Sequence, residues 1–494
     1  MPTTQSIDYL AIAPPLLLAL TALVVLLADT FRVAARNVSI IALVGVLGAL
    51  AAAAALVAGP ARRTFCVPGA CAYVVDDFTL LFQLVMLLAG FVVLLVARLE
   101  VRDTSLPVGE FHFLVLAALS GAVTLAAARD LVTLVVSLEV VSLPLFALVA
   151  LRRYDGRSTE AGLKMFLVSV TSTAVMLFGI SLVYGVTGTV FLEAMPAALG
   201  RPAAPEAVAA AGIVLVLVGF GFKISAVPFH FWAPDTYEGA PIAVAAFLSV
   251  VSKAAGFAGL IVVLTVGFGP YARVWGPLVG VLAVATMTVG NLVALRQQVT
   301  MRLLAWSSIA QAGYMLAPLA AVSGVAGDAR MRELVAATAG YVAIYAVMTI
   351  GVFAVLAHIG WIGRHGGGTL DDQCGLARTN PATALALAFF LACLAGLPPG
   401  LAGLFAKIFV FRGAMSGGYG WLAAAMAVNT VIGLYYYLAW ASRLFAARRA
   451  GVHFGRVAGP VAVAVAVAAA GTVLLSLLPQ LVLGIAPLGA TMGG

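Results

Sequence analysis

The sequence predicts an all-α integral membrane protein of about 14 transmembrane helices, built as two inverted five-helix repeats with broken helices 7 and 12. Three observations predict it. Of the 494 residues, 63% are hydrophobic and 9% charged, whereas soluble domains carry roughly 25% charged residues. Apolar runs of about 20 residues recur along the chain, the length a spanning helix needs. Two of these runs are interrupted, one near Pro228 and one at Gly396-Leu397-Pro398-Pro399-Gly400. The interruptions lie five spans apart, and an odd offset reverses direction in the membrane, as an inverted repeat requires.

In order, the spans run near 9–28, 38–58, 78–97, 111–128, 130–150, 161–186, 207–227, 242–265, 276–294, 303–321, 333–359, 383–411, 420–442 and 459–485. Residues 1–110 hold helices 1–3, 111–265 the first repeat (helices 4–8), 266–447 the second (helices 9–13) and 448–494 helix 14. The opening MPTTQSIDYL has no basic n-region or small-residue cleavage site, so the first run is expected to be a retained helix. An even number of spans puts both termini on one side. The alternate loops that begin with 29–37 carry fifteen of the arginines and the other loops eight. Both termini are therefore expected on the outer face of the membrane.

The loop with Cys66 and Cys71 then faces outward too, where either two unrelated thiols or a loop-closing disulfide is expected. No CxxC or Cys/His spacing points to zinc or an iron–sulfur cluster. The formal charge of +8 is spread over short loops with no basic stripe, so nucleic acid is not an expected partner; the lipid bilayer is.

The ionisable residues carry the functional reading. The chain has four lysines, Lys164, Lys223, Lys253 and Lys407, each within an apolar segment, and its arginines fall in loops or at helix ends. Lysine can lose its proton when desolvated, whereas arginine effectively cannot. Glu139 is the acid near the middle of a span, and Pro144 follows it by five residues, the offset that separates Lys223 from Pro228. A proline inside a helix frees the carbonyl four residues back, here those of Val140 and Ile224. Such carbonyls can hold water or orient a proton carrier.

Glu139 and Lys223 read either as a static salt bridge or as a switch that sets when Lys223 holds a proton. Lys253 and Lys407 lie too deep to reach an interface easily and are functional by default. Lys164 sits near its helix end, where a modulating role and snorkelling to the surface are both open. His230, at the first break, either relays a proton or caps freed carbonyls. Ser307, Ser308, Gln311 and Tyr314 either hold water between Lys253 and Lys407 or glue helices together. Asp235 and Glu238 are expected to stabilise helix starts. His112, His358, His365 and His453 lie at span ends, where a wet structural role is expected. Moving a proton against 100 mV costs about 2.3 kcal/mol. The chain shows no P-loop or dinucleotide fingerprint to supply it, which points to a partner.

With these residues in hand, the chain resembles the antiporter-like membrane subunits of respiratory complex I, and most closely the N-type subunit of proton-translocating NADH-quinone oxidoreductase. FKISAVPFHFWAPDTYEGAP, RLLAWSSIAQAGYML and LAGLPPGLAGLFAKIFVF carry the likeness. The resemblance implies a proton relay through a Glu139–Lys223 pair, a modulating Lys164, a central Lys253 and an exit-side Lys407. Lys407 separates this type from the M-type sister, which carries glutamate there; the chain also stops short of the lateral helix of the L-type. NADH, FMN, iron–sulfur clusters and quinone are implied for partner subunits, with no cofactor or metal in this chain. The implied partners are the M-type and small K-, J- and A-type membrane-arm subunits of a bacterial inner-membrane complex. The family often has histidine where this chain has Gln311, and glutamine does not titrate usefully, so protons passing that point need water. A subunit of a Mrp-type cation/proton antiporter shares the fold and is the alternative; a sodium site would need several oxygen ligands at mid-depth.

Overall fold

The computed structural model describes residues 6–103, 106–152, 154–201, 205–324, 328–362, 368–447 and 459–483. Helices α1 (Ala13–Thr30) and α2 (Ala35–Leu56) open the chain. The prolines in the first turn of α1 sit where their missing N–H costs nothing. A hairpin of β1 (Arg62–Val67) and β2 (Ala70–Val75) follows. The helix-only expectation missed this hairpin. Its strands pair Cys66 opposite Cys71, and the two form a disulfide. Gly69, at φ +86°, makes the turn between them.

Next come α3 (Asp77–Asp103), α4 (Val108–Ala127), α5 (Leu131–Val149) and α6 (Gly156–Thr187). The side chains of Asp130 and Asp155 accept from the first free N–H groups of α5 and α6, so acidic residues in the short loops start both helices. The short α7 (Met195–Leu199) precedes α8 (Glu206–Lys223) and α9 (Trp232–Gly239). Helix α10 (Ile242–Phe247) passes through a π-helical turn at Leu248–Ser252 into α11 (Lys253–Val262). A second π-helical turn, Val263–Gly267, ends this stretch.

The rest comprises α12 (Ala272–Ala294), α13 (Thr300–Ala321), α14 (Asp328–Ile362), α15 (Leu376–Thr379), α16 (Pro381–Ala395), α17 (Leu401–Ser416), α18 (Gly420–Phe445), α19 (Gly459–Leu477) and α20 (Gln480–Leu483). Among the described residues, 12 helical stretches are long and apolar enough to cross a membrane. Two further predicted spans fall on α13 and on the pair α16 and α17. The 22 residues of α13 are buried except for Arg302 and Trp306, and they include Ser307, Ser308 and Gln311. That helix is a polar core element rather than a lipid-facing one.

Two corrections to the sequence reading concern the first break. Helix α8 ends at Lys223, not at 227, and the chain leaves helical geometry at Ile224 and Ser225, the latter at φ +60°. Pro228 therefore lies in the gap between α8 and α9 rather than inside a helix, and it frees no carbonyl of Ile224. Pro144, by contrast, lies within α5 as expected. The second break comes at Gly396, which caps α16 in the left-handed region, and α17 starts at Leu401. Every residue from Ile242 to Leu264 is buried, so α10 and α11 form the axis of the fold, while α1, α2, α6 and α19 turn much of their apolar surface outward.

Candidate functional site

Three of the four lysines are buried, Lys223 against this axis, Lys253 on it and Lys407 on α17. Lys223, 5% exposed, is the last residue of α8, and its Nζ donates to Ser142 Oγ at 2.9 Å. Ser142 lies on α5, three residues beyond Glu139, and donates in turn to Leu138 O. Glu139 is half-buried and accepts from Thr173 Oγ1 of α6 at 2.8 Å. The expected Glu139–Lys223 pair is thus not a direct ion pair: each group has a hydroxyl partner on a different helix. The stem of Lys223 also lies against α11. A Cβ at Gly256 would come within 3.0 Å of Lys223 Cγ, so the glycine lets the two helices approach.

Lys253 opens α11 and is 2% exposed. Its Nζ donates to Ser308 O at 2.7 Å and to Ser308 Oγ at 2.5 Å. The same hydroxyl accepts from Tyr345 at 2.9 Å and lies 3.4 Å from Tyr237 Oη. Ser249 closes the group against Tyr345.

Lys407, 7% exposed, donates to Ala395 O at 2.6 Å. Ala395 is the final residue of α16, so the ammonium meets a carbonyl that the break leaves without a helical partner. A cation at that helix end also complements its dipole. The Nζ stands 5.6 Å from the centre of the Tyr314 ring. No carboxylate lies within ion-pairing distance of Lys223, Lys253 or Lys407 among the described residues.

Between Lys253 and Lys407 lies a second polar group that the sequence reading only partly anticipated. Ser307 shares a 2.5 Å hydrogen bond with Tyr437 of α18. Gln311 Nε2 donates to Tyr437 Oη at 3.1 Å and to Leu394 O at 3.3 Å, and Gln311 Oε1 accepts from Tyr341 at 2.6 Å. Tyr314 lies next to Thr430 rather than in this chain of bonds. Beyond it, Asn291, Asn429 and Tyr436 tie α12 to α18. The sequence alone does not mark Tyr237, Tyr341, Tyr345 or Tyr437. In apolar helices a tyrosine reads as packing until its hydroxyl partner on another helix is known.

The remaining predicted residues resolve as follows. His230 is 5% exposed and packs against Trp306, and its Nδ1 has no hydrogen-bond partner among the described residues. Its ring hydrogen-bonds the backbone of Pro228 within the break, while the end of α8 is capped by Trp232 Nε1, which donates to Phe222 O at 3.1 Å. Lys164 reaches the surface, its side chain 46% exposed, and pairs with Glu160 and Asp235 at 2.8 Å each. Asp235 lies in the first turn of α9, as expected of an acid at a helix start, whereas Glu238 lies near its end; both hold Arg302, at 2.8 and 2.9 Å. Pro398 and Pro399 fill the gap between α16 and α17. His112 and His358 are fully buried rather than wet, while His365 and His453 lie outside the described residues. Among the described residues, no group of three or more His, Cys, Asp and Glu gathers as metal ligands would.

Comparison with known proteins bears on this arrangement. Residues 128–433 match the family model described as NADH:quinone oxidoreductase/Mrp antiporter, TM. The chain is 52% identical over 455 residues to NADH-quinone oxidoreductase subunit N 2 of Streptomyces griseus, covering 90% of this chain and 84% of that one. A chain of respiratory complex I from Thermus thermophilus superposes with a TM-score of 0.78 at 33% identity, covering 95% of this chain and 98% of that one. A chain of the Mrp complex from Dietzia gives a TM-score of 0.83 at 23% identity over 97% and 96%, a likeness of fold alone.

Proposed function

The chain belongs to the NADH:quinone oxidoreductase/Mrp antiporter transmembrane family, and from that premise we propose that it is a proton-translocating N-type membrane-arm subunit of complex I. Protons move through a relay of buried lysines, hydroxyls and water, at Lys223, Lys253 and Lys407, with Glu139 beside the first of them. The observation that carries this reading is the neutral oxygen that holds each buried amine: Ser142, Ser308 or the Ala395 carbonyl. A buried ammonium fixed as structural glue would need a paired carboxylate. A group that takes up and releases its proton does not carry that charge permanently. The static Glu139–Lys223 bridge loses ground for the same reason.

In this reading the chain has 14 spans in two inverted five-helix repeats, with both termini on the outer face. It performs no redox chemistry itself. NADH, FMN, iron–sulfur clusters and quinone belong to partner subunits, whose reaction supplies the energy. Lys164 modulates the relay from its surface ion pairs with Asp235 and Glu160.

Lys223→Ala and Lys253→Ala, each assayed in the assembled complex for protons moved per electron pair, test the proposal. Each is expected to lower that ratio while the complex still assembles. Parental stoichiometry in both would remove the relay. The Mrp-type alternative rests on the shared fold; copurification with iron–sulfur and flavin subunits supports the complex I assignment, and sodium-dependent growth defects in the variants would favour the alternative.

A further inference from the structure

The geometry points to Tyr437 as the proton-conducting group between the Lys253 and Lys407 clusters, with Gln311 as the residue that positions it. This inference rests on the relay proposed above. Ser308 anchors Lys253, and the adjacent Ser307 hydrogen-bonds the Tyr437 phenol. On its other side the same phenol accepts from Gln311, whose amide also donates to the carbonyl of Leu394. The next carbonyl, that of Ala395, holds Lys407. Tyr437 therefore stands between one serine pair and the end of α16, the two places where the buried amines are held.

The chemistry of the groups decides which of them can conduct. An amide nitrogen donates and an amide oxygen accepts, and neither exchanges roles. Gln311 uses both of its N–H groups, on Tyr437 and Leu394, and its oxygen accepts from Tyr341. It holds its neighbours in place and passes nothing on. A phenol both donates and accepts. Tyr437 can release its proton to the Ser307 oxygen while Ser307 passes its own to water on the Lys253 side. In the same step a water on the Lys407 side, resupplied by the Lys407 ammonium, protonates the phenol oxygen; the reverse transfer follows when the hydroxyls reorient. One O–H bond breaks and one forms at the phenol in each transfer, so charge and protons balance. Tyr341 does not compete, because its proton is committed to the oxygen of Gln311. The side chain at 437 is 1% exposed, which shields the step from bulk water.

Tyr437→Phe removes the hydroxyl and keeps the ring. In the assembled complex, reconstituted in vesicles, proton translocation is expected to slow about 100-fold at that step, the lower end of what a positioned acid–base group contributes. The solvent deuterium isotope effect on turnover should rise as that step becomes limiting, which lost packing alone would not produce. Adding Gln311→His to Tyr437→Phe places a group that can exchange protons at the same crossing and should restore part of the rate. Parental translocation in Tyr437→Phe, or a loss with an unchanged isotope effect, would overturn the inference. If Tyr437→Phe does not assemble, Ser307→Ala removes the phenol's partner and is expected to slow the same step; parental translocation there is the overturning result. Lys253→Ala, run in parallel, separates the two levels. If it too pumps normally, the relay itself has failed; if it alone loses pumping, only the role of Tyr437 has.

Discussion

Gly396→Ala isolates what the second break does for Lys407. Gly396 sits at φ +80°, and a Cβ there would come within 3.0 Å of Lys407 Cδ and 3.3 Å of its Nζ. The left-handed conformation costs a non-glycine residue about 1–2 kcal/mol. Contacts this tight also force the lysine stem aside by a few tenths of an ångström. That shift strains or breaks its bond to Ala395 O, and a hydrogen bond donated by an ammonium is worth about 1.5–3 kcal/mol. Gly418 provides the control, because its φ is +79° and a Cβ there would meet nothing within 4 Å. Gly418→Ala therefore carries the backbone cost without the contact. Thermal retention of the folded subunit in the detergent-solubilised complex measures both. We expect Gly396→Ala to be the less stable of the two by about 1.5–3 kcal/mol and to lose proton translocation, while Gly418→Ala pumps normally. Equal stability and equal pumping in the two variants would refute the argument that Gly396 is there to clear space for Lys407.

Two further outcomes follow from residues outside the lysine row. Glu100 of α3 accepts from the N–H groups of Ile242 and Ala243, the first two residues of α10, at 2.8 and 3.0 Å. Glu100→Ala should cost about 0.5–2 kcal/mol, as lost helix caps do, and should speed amide exchange over residues 242–247; unchanged exchange there would count against the capping role. Before α1, Asp8 accepts from Arg62 of the hairpin at 2.8 Å, and that hydrogen bond holds its carboxyl below the ordinary value of 3.8. With the folded value depressed, the stabilisation is fully present above pH 3.8 and is lost as pH falls through the folded value. Protease protection of the segment before α1 should therefore persist at neutral pH and decline below about pH 4. Protection that stays constant into stronger acid would sink this.

How much of this could be read beforehand depends on which link a feature lives on. Span positions were legible because a bilayer demands length and apolarity, which composition displays directly; Pro398 and Gly396 marked the second break by backbone chemistry alone. The deep lysines stood out because each is costly against its background. Helix faces were not legible. A helix that is apolar all round has no periodic stripe, so the direction of Glu139 towards Thr173 rather than Lys223 left no trace in the spacing. The same holds for Trp232, which caps α8 where capping had been one of two readings for His230 two residues earlier. The hairpin was missed because the apolar pattern of the flanking spans dominates so short a stretch, although Pro68-Gly69 between two cysteines is a turn signature.

The three buried amines differ in a way that bears on direction. Ser142 holds Lys223 through its hydroxyl and Ser308 holds Lys253 through both hydroxyl and carbonyl, and a hydroxyl can accept from an ammonium or, once rotated, donate to a neutral amine. Either protonation state is therefore accommodated without moving a helix. Lys407 is held by the Ala395 carbonyl, which can only accept. Ammonium and neutral amine can both donate an N–H to that carbonyl, but the carbonyl offers nothing to the lone pair of a neutral amine. The first two lysines therefore meet a group that can turn to donate to a neutral amine, and the third meets one that cannot. In the proposed relay, the second broken helix thus differs from the first in holding its lysine through a backbone carbonyl rather than a hydroxyl.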